Sequence, residues 1–168
     1  MAISSNDMRF LIHLLPNLAT TRFFVRSPRT RDYNCIGWAA TRSLDQWWEP
    51  VGEKYYWPAA APKAYTIAAF TTAFATVGYS TQVDSTLQSG IEKIALYSLA
   101  GHPTHAARQL ANGWWTSKIG QYWDIEHPSL QALEGEEFGA VACILARTGA
   151  PAPPIGNPDD YLPSDQLN

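Results

Sequence analysis

Cysteine is scarce in this chain of 168 residues: there are two, Cys35 and Cys143, far apart and with no Cys-x-x-Cys pair. A disulfide scaffold and a thiolate zinc site are both excluded on that count. Charge is thin as well, with 16% of residues charged against 46% hydrophobic, which excludes a disordered chain and points to a large buried interior, a partner surface, or both. Long hydrophobic runs are missing. The stretch from Phe10 to Leu15 is broken by His13 and closed by Pro16, and it lacks the basic flank and small-residue cleavage site of a secretory signal. No signal peptide and no membrane segment is expected, so the chain reads as cytoplasmic, with delivery as an effector or toxin fitting the same absence.

A chain of this length buries about 70% of its unfolded surface and supports a single domain. We expect that domain over residues 1–148, followed by a Pro-rich C-terminal tail over 149–168. The net charge of -3 hides an asymmetry: residues 1–42 hold six arginines against Asp7 and Asp32, and the remainder is acidic. Complementarity between the two halves explains this, whereas no basic cluster alternates with aromatics as a nucleic-acid groove requires. Nucleic acid is therefore disfavoured as a partner, and the oligomeric state is open.

Apolar spacing predicts helices over Asn6–Leu15, Cys35–Trp48 and Lys63–Val77, the second capped by Asn34 and the third stopped by Gly78. Strands follow over Tyr79–Val83, Ile91–Leu99, Thr104–Ala111, Trp114–Ile119 and Phe138–Ala146, with a short helix over Pro128–Leu133 before the last. Helices first and strands second is the pattern of an α+β domain, N-terminal helices packed on an antiparallel meander sheet.

The first turn of the second helix carries Cys35. Unpaired N–H groups and the helix dipole favour a thiolate there, while a small buried hydrophobe is the plain alternative. Gly37, just inside the helix, would let another chain segment or a substrate approach closely. A thiolate nucleophile needs a base, and His105, at the start of a strand, is the best placed of four histidines. His102 and His105 form His-x-x-His, but an offset of three on a strand sends them to opposite faces, so no metal is expected. Asp124 is the carboxylate that either orients the imidazole or pairs with an arginine. Cys143, inside Val141–Leu145, reads as core.

The order of parts resembles the papain-like cysteine hydrolases, most closely their NlpC/P60 branch, over roughly residues 30–120. The likeness rests on Tyr33-Asn34-Cys35-Ile36-Gly37, on Glu92–Leu99, and on Thr104-His105-Ala106-Ala107 running through Asn112-Gly113 to Trp114-Trp115-Thr116-Ser117. The chain also looks like a member of an uncharacterised bacterial family with a Tyr-Asn-Cys-Ile-Gly-Trp-Ala signature. The resemblance implies a cofactor-free thiol hydrolase or acyltransferase acting on a peptide or protein amide, as peptidase, amidase or deamidase, with Cys35, His105 and Asp124 as its catalytic set. Asn34 stands where that branch has Asp, and Ser117 where it often has a second His. Asn34 and Tyr33 are then the candidates at the oxyanion, with Ser117 and Trp115 as substrate-side groups. Whether Ser117 faces His105 turns on the hairpin: a two-residue loop excludes it, and a three-residue loop with left-handed Gly113 allows it. The alternative is a catalytically inactive binding module of the same fold that uses its exposed aromatics.

Overall fold

A computed structural model describes residues 3–155. Residues 156–168 of the expected tail lie outside the described residues. Helix α1 spans Ser5–Leu14 and is capped by Ser4, whose side chain accepts from the Asp7 N–H. Strand β1 is Phe24–Val25, α2 is Cys35–Thr41, and α3 is Ile67–Ala75, with Thr66 as its cap. The remaining strands are β2 (Ser80–Gln82), β3 (Ile91–Leu99), β4 (His102–Gln109), β5 (Trp115–Lys118), β6 (Asp124–His127) and β7 (Ala140–Thr148). A short 3-10 helix over Leu130–Leu133 takes the place of the helix expected before the last strand.

The fold is α+β. Seven strands form one sheet in the order β1-β6-β5-β4-β3-β7-β2, with every pairing antiparallel. Period-2 alternation divides its side chains between two cores. On one face Ala95, Tyr97, Ala107, Trp115, Ile119 and Ile125 pack with Leu11 of α1 and with Leu130 and Leu133. On the other, Ile94, Leu96, Ala106 and Leu145 pack with Cys35 and Ala39 of α2 and with Phe70 and Phe74 of α3.

Helix α2 is half the length its apolar spacing predicts. It ends at Thr41 because Arg42 turns left-handed (φ 58°). The chain then doubles back to lay Trp48 against the helix start, where Asn34 Nδ2 donates to the Trp48 carbonyl (2.8 Å) and Asn34 Oδ1 accepts from the Trp48 N–H (3.0 Å). Gly37 serves this return: a Cβ there would run into the Gln46 backbone carbonyl.

Two strands were not foreseen, β1 and β6, and together they close one side of the sheet. Seen from the charges, the two halves of the chain do complement each other, since Arg26 pairs with Asp124 and Glu126, and Arg42 with Glu92. Past β7 the chain continues against the domain as far as Ile155. The Ala111 N–H donates to the Ala152 carbonyl (2.8 Å), and the Ile155 N–H to Glu126 Oε1 (2.7 Å). Among the described residues no helix is long and apolar enough to cross a membrane.

Candidate functional site

Cys35 sits at the start of α2, as its sequence context indicates, under the Asn34 cap. It is buried, and burial drives its thiol up to about 11, outweighing the backbone N–H groups of Ala106, Ile36 and Cys35 itself that pull the other way. Burial thus acts against the helix-start thiolate that the dipole would favour.

His105 is not its partner. Its neighbour Ala106 packs in the core with Cys35, so successive side chains on β4 put His105 on the opposite face. There its ring stacks on Phe138 (4.3 Å between centroids, 13° between planes) and meets Tyr97 edge-on. Neither ring nitrogen has a hydrogen-bond partner, and burial lowers the imidazole to about 3. The sheet backbone stands between base and nucleophile, and the catalytic pairing of Cys35 with His105 is not formed. His102 is exposed while His105 is fully buried, so the His-x-x-His pair does not converge either.

Asp124 takes the other role open to it. It lies on the Cys35 face, away from His105, where Arg26 Nε approaches Oδ2 at 3.1 Å and the Thr116 hydroxyl donates to Oδ1 at 2.7 Å. Burial raises its carboxyl to about 6, against the lowering effect of Arg26. Trp38 Nε1–H and Arg26 Nη1–H both donate to Thr116 Oγ1, at 3.2 and 3.1 Å, which completes a buried network linking α2, β5, β6 and the residue after β1. Asn34 spends its Oδ1 on the N–H groups of Gly37 and Trp48 and one Nδ2 hydrogen on the Trp48 carbonyl, which ties its side chain to the helix start and the returning loop.

The hairpin after β4 has the three-residue form, with Gly113 left-handed (φ 85°) and Gln109 opposite Trp115. Ser117 thereby faces the His105 side, but its hydroxyl is bonded to His127 Nε2 at 2.8 Å. His127 Nδ1 lies 2.8 Å from the Ser129 carbonyl, so Nδ1 carries the proton and Nε2 accepts from the serine. No spacing in the sequence marks this pair, which the β5–β6 register brings together; it is wholly buried, and burial lowers His127 to about 4. Trp115 is buried too, and borders a cavity of about 310 Å³ with Gln109, Ser129 and Leu130. Cys143 is half-buried at the margin of the second core, more exposed than its apolar neighbours suggest.

What opens to solvent on the α2 face is a cleft of about 470 Å³. Tyr33, Trp38 and Leu44 line it with Arg26, Arg42, Asp124 and Ile155. The Arg26 guanidinium lies 5.2 Å from the Trp38 ring, and Lys118 Nζ 5.0 Å from the Tyr33 ring. Lys118 is held by the carbonyls of Thr30 (2.8 Å) and Gly120 (2.7 Å), and burial lowers it to about 8. The arrangement offers aromatic surface and guanidinium donors, which recognise ligands without breaking bonds.

The class so defined is an α+β domain with a sealed helix-start cysteine and an arginine-aromatic cleft beside it. A family model described as a domain of unknown function (DUF7689) matches residues 24–146, and the chain belongs to that family. The match begins at the first residue of β1 and ends within β7, leaving out α1. No curated protein and no solved structure matched the chain.

Proposed function

We propose that this domain is a binding module on a papain-like scaffold, and that its working surface is the cleft over Tyr33 and Trp38. A cysteine-bearing helix start packed on an antiparallel sheet is what supports the papain-like part of the reading. Against thiol catalysis stand the burial of Cys35 and the position of His105 behind the sheet. The observation that carries the binding reading is the cleft itself: about 470 Å³, of a size that takes a small ligand or a few residues of a peptide, with aromatic walls and guanidinium donors at its rim.

The test is to map a small neutral aromatic probe, benzyl alcohol, onto the 15N-labelled full chain by NMR. Amide shifts are expected to concentrate at Ser27, Thr30–Tyr33 and Leu44, together with the Trp38 indole N–H. A map that leaves these signals unmoved at probe concentrations that shift others removes the cleft as the working surface.

A further inference from the structure

The least compensated charge among the described residues lies against Trp38. Arg108, on β4, is 1% exposed, and its Nε and Nη1 have no hydrogen-bond partner. Its guanidinium sits 4.5 Å from the Trp38 ring centroid. A cation-π contact of that kind contributes ~0.5–2 kcal/mol, whereas withdrawing an ion from water costs several. The aromatic ring alone therefore does not account for a buried guanidinium.

Asp124 offsets part of the Arg108 charge from a distance, but the carboxylates near that guanidinium give their hydrogen bonds to other groups. Asp124 is held by Arg26 and Thr116, and Glu92 by Arg42 and Arg147. Arg42, which lines the cleft, has its own Nε buried and unpartnered. It also stands near enough to repel Arg108, adding to the burial that lowers Arg108 to about 10. Two neighbouring guanidiniums with spare donors and no shared anion are the reverse of what a self-contained fold arranges.

We infer that Arg108 and Arg42 form an oxyanion subsite of the Trp38 cleft, so that the ligand carries a carboxylate or a phosphate attached to an apolar body. The planar fork of a guanidinium suits either group, and the anion would supply the missing hydrogen bonds and relieve the repulsion between the two arginines. Trp38 joins the subsite to the cleft, since it lines the cleft and also touches Arg108. This inference rests on the binding reading above.

Three probes of one shape separate the two ideas: benzyl alcohol, benzoate and phenyl phosphate, titrated into the full chain with affinity read from the shifts of the cleft residues. Benzoate or phenyl phosphate is expected to bind at least about tenfold tighter than the alcohol, and whichever is tighter names the oxyanion. In Arg108→Gln that preference, taken as the ratio of anionic to neutral probe affinity on the same variant, should fall to about twofold or less. Arg42→Gln, at the partly exposed rim, should reduce the preference in the same direction and serves if Arg108→Gln does not fold. Equal affinity for all three probes at the cleft overturns the subsite and leaves the binding module standing. No binding of any probe at the cleft overturns both.

Discussion

The Cys35 sulfur lies against the backbone N–H of Ala106, while the imidazole of His105, one residue earlier on β4, stacks on Phe138 behind the sheet. A single step along one strand thus separates the two groups that amide hydrolysis through a thiolate would require together. Each is buried in a different core, and in each case burial favours the uncharged form.

Buried neutral histidines make stability fall in mild acid. His105 and His127 titrate near 6.5 when unfolded but at about 3 and about 4 when folded, so their contribution is complete above 6.5 and is lost as pH falls towards 4. Asp124 acts in the opposite sense, raised from 3.8 to about 6, so its contribution is present at low pH and lost as pH rises through that window. The two histidines together outweigh the one carboxyl. Urea unfolding should show lower stability at pH 4.5 than at pH 7, and His105→Phe, which removes two unpaired ring nitrogens, should gain ~1 kcal/mol at pH 7 and more at pH 4.5. A His105→Phe variant with an unchanged pH profile would rule out this histidine as the source.

Thr116 is the hub of the network behind the cleft. Its hydroxyl accepts from Trp38 and Arg26 and donates to Asp124. Thr116→Val keeps the shape and strands those groups, so a loss of ~2–4 kcal/mol is expected by denaturant titration. Thr116→Ser, which keeps the hydroxyl, should stay within ~1 kcal/mol of the parent. Equal stability of the Val variant and the parent would mean that the hydroxyl holds nothing in place.

Gly37 has a packing role. An alanine methyl would meet the Gln46 carbonyl and approach Trp48 Cδ1 at 3.0 Å, and neither neighbour is free to yield because Asn34 fixes Trp48 by two hydrogen bonds. Gly37→Ala should cost ~3 kcal/mol, seen as a lowered thermal midpoint. A midpoint within a degree of the parent would show that the returning loop is looser than described.

Much of this was readable from residue patterns. Strand β3 spans the residues its apolar run predicts, and Asn34 caps α2 as its side chain and position suggest. Other features depend on distant parts of the chain. Helix α2 stops early because Trp48 is drawn back to Asn34, which no local period records. Strand β6 reads Asp-Ile-Glu-His, polar by composition, and is a strand because Arg26, Thr116 and Ser117 satisfy its buried side chains from neighbouring elements. Above all, Thr104-His105-Ala106-Ala107 carries no polarity alternation to say which side of β4 turns towards α2. The side chain that did so was alanine, and the candidate site moved from the cysteine to the arginines beside Trp38.

Cys35 itself provides the sharpest discrimination between packing thiol and nucleophile. Site-resolved mass spectrometry after iodoacetamide treatment between pH 6 and pH 9, on the parent and on His105→Ala, would read its reactivity in the folded chain. A thiol raised to about 11 by burial is expected to stay essentially unlabelled across that range, to label fully in denaturant, and to ignore the histidine substitution. Rapid labelling of Cys35 at pH 6 that slows in His105→Ala would contradict the account and restore the hydrolase.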